Sequence, residues 1–132
     1  MKYLLDTNIC IYAQKGNKKI IDKIQANFED GIAISSITLA ELEYGVQASI
    51  FPQKNAVALM KFLLTIDVLP FDDDCAVKYG KIRADLKKKG TLIGAMDMLI
   101  AAHGLSKGLI VVTHNTKEFE RVEGLTIEDW FE

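Results

Sequence analysis

Apolar residues recur along this chain in two rhythms. Short unbroken runs such as KYLL near the start, IAIS from Ile32 and LIVV from Leu109 are bounded by charged or turn-forming residues. Between them lie longer stretches in which an apolar residue returns every three or four positions. The short runs predict strands over 2–5, 32–35, 67–69, 109–112 and 126–127. The longer stretches predict helices over 8–14, 18–28, 37–47, 51–64, 73–88 and 96–106, with a glycine-bounded loop at 90–94. Strands alternating with helices predict an α/β sandwich around a mainly parallel central sheet of four to five strands. The 51–64 segment is apolar around most of its circumference, with Pro52 in its first turn, and predicts a helix buried on more than one side.

In open parallel sheets, ligands bind beyond the carboxyl ends of the strands, so residues that follow strands carry most weight. Asp6 follows KYLL directly. Thr113, His114 and Asn115 follow LIVV, and Glu41 lies a helical turn beyond IAIS. Asp97 has Ile93, Gly94, Ile100 and Ala101 as its helical neighbours, an apolar setting that demands surface exposure, a proton or a cation. Three carboxylates and one carboxamide from four distant segments thus point at one crevice, and a hard divalent cation is the best compensation for them. Each also has an ordinary explanation. Asp6 can cap a helix, Asp97 can complement a helix dipole, Glu41 can be a half-exposed helix residue, and Asn115 can form a loop. Periodicity does not separate Glu41 from Glu43. The run Asp72, Asp73, Asp74 stands just before an amphipathic helix and is read as capping and dipole compensation. His103, in an alanine-rich helix, is read as a structural hydrogen-bonder, and His114 as a residue close enough to the crevice to touch substrate.

Composition narrows the picture further. With 132 residues, 49% of them hydrophobic, residues 1–132 suffice for one domain with a full core. No stretch is long and apolar enough for a signal peptide or a membrane span, which places the protein in the cytoplasm, and Cys10 and Cys75 are expected to be free core fillers. The net charge of −2 argues against coating nucleic acid by bulk positive charge. The basic residues are nevertheless clustered, as Lys18, Lys19 and Lys23 and as Lys81, Arg83, Lys87, Lys88 and Lys89. One divalent ion among the acids brings −2 to 0, so a phosphate substrate remains compatible.

The stretches LLDTNICIY, ISSITLAELEYG, KIRADLKKKGTLIGAMDMLIAAH, LIVVTHNTKEFERV and LTIEDW together resemble the PIN-domain ribonucleases, specifically the VapC toxins of bacterial toxin–antitoxin pairs. The resemblance spans nearly the whole chain. It implies a PIN-like α/β/α sandwich and a Mg²⁺- or Mn²⁺-dependent endoribonuclease, with transfer RNA cut in its anticodon loop as the leading substrate. By the same resemblance the metal-binding acids are Asp6, Glu41 and Asp97, which selects Glu41 over Glu43. The fourth acidic position of many relatives is Asn115 here. Thr7, Asn8, Ser35 and Thr113 match polar positions that support the pocket, and Lys81, Arg83, Lys87, His114 and Arg121 are candidate substrate contacts. A VapB-type antitoxin, which alone contacts operator DNA, a homodimer and no membrane partner are also implied. The apolar segments 37–51 and 56–64 are the candidate contact surfaces. Two rivals stand beside this reading. A haloacid-dehalogenase-type phosphatase needs an aspartate where Asn8 stands, and a catalytically degenerate PIN-fold binding module finds its support in Asn115 alone.

Overall fold

The short apolar runs form the five strands of one parallel sheet. In the computed structural model, which describes residues 1–131, the strands are β1 (Tyr3–Leu5), β2 (Ile32–Ser35), β3 (Asp67–Leu69), β4 (Ile110–Val112) and β5 (Ile127–Glu128). Their order is β3-β2-β1-β4-β5, and every neighbouring pair is parallel. Successive side chains of a strand point to opposite faces. Tyr3, Leu5, Ile32, Ile34 and Val112 therefore enter one core, beneath α1 (Thr7–Gln14), α2 (Lys18–Ala26), α3 (Ser36–Gln47) and α4 (Pro52–Leu63). Leu4, Ala33 and Val111 enter the other, beneath α5 (Asp73–Lys88), α6 (Ala95–Lys107) and the short α7 (Thr116–Phe119). Both faces are covered, as central strands such as β1 and β4, apolar at every position, require.

Local chemistry sets the helix starts. Asp6, Asn17, Ser35 and Asp72 each accept a hydrogen bond from a first-turn amide, those of Ile9, Ile20, Ile37 and Cys75, at 3.0, 3.2, 3.1 and 3.1 Å. Gly104 brings α6 hard against β4. A Cβ there would stand 2.4 Å from Val111 Cγ2, so a larger residue requires the buried Val111 side chain or its surroundings to shift. Cys10 and Cys75 are buried and unpaired. Among the described residues no helix is long and apolar enough to cross a membrane.

Three elements depart from the sequence reading. The second helix stops at Ala26, because Asn27 Nδ2 donates back to the Lys23 carbonyl at 2.8 Å, and Phe28 opens a 3₁₀ turn (Phe28–Asp30) with its ring exposed. The helix expected to be buried on more than one side, α4, buries only Leu59 fully and leaves Phe51, Val57, Met60 and Leu64 exposed. It packs chiefly on α3 and α1. Finally, α7 is unforeseen, since four residues are too few to show a helical period; Phe119, fully buried, anchors it.

Candidate active site

Strand order reverses between β1 and β4, and a crevice opens at such a reversal beyond the carboxyl ends. Asp6 directly follows β1 and Thr113 directly follows β4. Asp6 is 3% exposed; its Oδ1 caps α1 and its Oδ2 accepts the Thr113 hydroxyl at 2.6 Å. The capping role is thus real, but it occupies only one oxygen. Asp6, Thr7 and Asn8 line a cavity of about 490 Å³ together with Glu41 and Tyr44 of α3 and Met96 and Asp97 of α6. Thr7 Oγ1 donates to Glu41 Oε1 at 2.5 Å and lies 3.3 Å from Thr38 Oγ1. Glu43 is exposed and does not line this cavity.

Asp97 is half-buried, and its Oδ2 accepts from Asn115 Nδ2 at 3.1 Å. The same amide nitrogen donates to Glu118 Oε2. Glu118 joins the site without standing out in the sequence. Its signal is the spacing N-x-x-E over 115–118, which sets both side chains on one side of a helical turn. The fourth position is therefore an amide tied to a carboxylate, so negative charge is present there after all.

Burial pushes the Asp97 carboxyl up to about 7, helped first by Glu118 and then by Asp6. Glu118 is shifted down, chiefly by the hydrogen bond it accepts from Asp97. Burial also raises Asp6, and the nearby Glu41 adds to that, against the hydrogen bonds from Thr113 and Ile9. Among the described residues no three acidic, histidine or cysteine side chains form a ready-made ligand cage; the acids are instead spaced by Thr7, Thr113 and Asn115. An oxygen-only donor set carrying uncompensated buried charge fits a hard divalent cation such as Mg²⁺ or Mn²⁺.

Several expected residues lie elsewhere. Ser35 does not support the acids: as the last residue of β2 it caps α3, and its buried Oγ lies 2.8 Å from His103 Nδ1. His103 is, as read, a structural hydrogen-bonder. His114 does not line the acid cavity. Its Nδ1 lies 2.9 Å from Asp129 Oδ2 and its ring packs on Phe131 at 4.3 Å, both in the C-terminal segment. Lys81, Arg83 and Lys87 are exposed on α5 and none lines the acid cavity; Arg83 donates to the Tyr79 hydroxyl at 2.8 Å. Arg121 comes closer, donating to the Leu92 carbonyl at 3.2 Å and helping to keep Glu118 ionised. Asn8 is exposed at the cavity wall.

Residues 3–125 match the family model of the PIN domain. The chain is 47% identical over 131 residues to the tRNA(fMet)-specific endonuclease VapC of Shigella flexneri, with 98% of each chain covered. It is 43% identical over 131 residues to ribonuclease VapC2 of Haemophilus influenzae, again with 98% of each covered. Among solved structures, VapBC2 of Rickettsia felis bound to a DNA fragment from its promoter aligns with a TM-score of 0.94 at 39% identity, covering 98% of this chain and 99% of that one. DNA-bound VapBC of Salmonella typhimurium aligns with a TM-score of 0.94 at 44% identity, covering 98% of both.

Proposed function

The chain belongs to the PIN-domain family, among the VapC ribonucleases, and from that premise we propose that it is a toxin acting as a metal-dependent endoribonuclease in the cytoplasm. One observation carries the reading: Asp6, Glu41 and Asp97, from three distant segments, line one cavity at the strand-order reversal. Transfer RNA, the substrate in the Shigella relative's name, is the proposed substrate, cut in its anticodon loop.

Asp6, Glu41 and Asp97 would hold Mg²⁺ or Mn²⁺, which supplies Lewis-acid polarisation of the phosphodiester and acidifies an attacking water. Thr113 and Thr7 fix the orientation of Asp6 and Glu41 through their hydroxyl donors. Asn115 holds Asp97 and Glu118 on one nitrogen, so Glu118 contributes the charge that the amide at 115 lacks. That pairing also weighs against a degenerate, merely binding module. Asp97 must lose its proton to become a ligand, so metal binding there would release a proton to solvent.

The structural relatives are VapBC complexes, so a VapB-type antitoxin is the proposed partner, with operator DNA reached only through it. The bare apolar side chains Phe51, Val57, Met60 and Leu64, with Ile50 just before them, are the proposed contact surface for that antitoxin or for a second copy of the chain.

The test is incubation of antitoxin-free protein with total cellular RNA in Mg²⁺, in Mn²⁺ and in chelator, beside Asp97→Asn. A discrete fragment that requires both metal and Asp97 is expected, and its end identifies the substrate. Absence of cleavage by folded, metal-supplemented protein overturns the reading.

A further inference from the structure

The acids of the cavity would hold a metal ion and, through it, a phosphate, and neither distinguishes one nucleotide from another. Tyr44 follows Glu41 by three residues on α3, so it stands on the same helix face and lines the same cavity. It is 74% exposed, and among the described residues its ring pairs with no other ring. Met96, beside Asp97 in the chain, lines the cavity from α6 and is 49% exposed. The other large exposed apolar side chains of this region, Ile50, Phe51, Val57, Met60 and Leu64, do not line the cavity. Tyr44 is thus set apart from that patch by its position next to the acids.

We propose that Tyr44, assisted by Met96, is a stacking platform for an unpaired nucleobase next to the scissile phosphate. A polymer that presents a phosphodiester to Asp6, Glu41 and Asp97 necessarily brings a flanking base within reach of the cavity rim. An exposed aromatic face takes any base, and unstacked bases of single-stranded RNA are held on aromatic and apolar side chains. The thioether of Met96 adds a polarizable surface beside the ring. Tyr44 is then a substrate-positioning residue that favours single-stranded over paired RNA.

This inference rests on the ribonuclease reading, and its test separates the two. A single-stranded RNA carrying the mapped cut site is compared with versions abasic on its 5′ or its 3′ side, using wild type, Tyr44→Ala, Tyr44→Trp and Met96→Ala. Tyr44→Ala is expected to lose about 5- to 150-fold in kcat/KM on intact RNA, the range that stacking on one aromatic ring spans. Tyr44→Trp retains activity, and Met96→Ala loses less than Tyr44→Ala. On the RNA abasic at the stacked position, wild type falls to the level of Tyr44→Ala. Equal cleavage of intact RNA by Tyr44→Ala overturns the inference while leaving the ribonuclease reading in place. The same result follows if the variant's loss persists undiminished on both abasic RNAs, or if Tyr44→Ala changes the solution mass, which makes the ring a contact between copies. Failure of wild type to cut any RNA overturns both readings.

Discussion

Asp72, Asp73 and Asp74 stand side by side in sequence, whereas Asp6, Glu41, Asp97 and Glu118 are scattered along most of the chain. The adjacent trio resembles a metal site to the eye and the scattered quartet does not. Their surroundings reverse that impression. Asp72 is exposed, caps α5 and lies 2.5 Å from Lys107 Nζ, which holds its carboxyl well below the usual carboxylate range. The quartet has hydroxyls and one amide for company, and burial raises both Asp6 and Asp97. What distinguishes the quartet from the trio is missing compensation, not local density of carboxylates.

The sharpest way to break that contrast is to neutralise one acid from each group. Asp97→Asn is expected to lower RNA cleavage by about a hundredfold or more, since substitutions of residues that merely support a metal ligand already cost about 10- to 100-fold. Asp72→Asn leaves the cleavage rate unchanged. Initial rates on one RNA decide it, and a comparable loss in both variants would erase the distinction. Next in size is Glu118→Gln, for which a loss of about tenfold at alkaline pH is expected. Glu118 helps hold the proton on Asp97, so its neutralisation lowers the Asp97 pKa from about 7 and carries the acid limb of the pH–rate profile to lower pH. An unmoved limb would separate Glu118 from Asp97.

Stability gives a smaller reading of the same contrast. Asp97 holds its proton more tightly folded than unfolded, so its contribution is full near pH 4 and is lost as pH rises to about 7. In metal-free protein, Asp97→Asn is expected to gain stability over wild type across that window, reaching about 1–2 kcal/mol at pH 8 once solvent screening is discounted. Denaturant titration at pH 4 and pH 8 measures it, and Mg²⁺ should then stabilise wild type but not the variant. Smallest is Asp72→Ala, which removes a cap and lowers Tm by a few degrees with cleavage intact.

Much of the fold was legible because β1 and β4 are unbroken apolar runs and β2 is nearly so, and the last strand, read over 126–127, is shifted by one residue from Ile127–Glu128. Asp6 and Asp97 were legible because a carboxylate among apolar neighbours is conspicuous. Glu41 was not separable from Glu43 by spacing, since both have apolar residues at helical distance. What distinguishes it is the Thr7 hydroxyl, 34 positions away. Glu118 stayed hidden because its meaning depends on one amide of Asn115 and on Asp97 from another helix. His114 misled for the opposite reason: its position after β4 suggested the crevice, while Asp129 and Phe131, later in the chain, hold its ring aside.

The hydrogen bond from Thr113 to Asp6 joins residues 107 positions apart, across adjacent strands. During synthesis on the ribosome, Asp6 emerges at the outset, while its hydroxyl partner, Asn115 and Glu118 emerge only near the end. A nascent chain therefore has no assembled site until β4 has been made and has slotted in beside β1. For an enzyme proposed to cut RNA, this order of manufacture is itself a safeguard, since chains that end before β4 lack the proposed site.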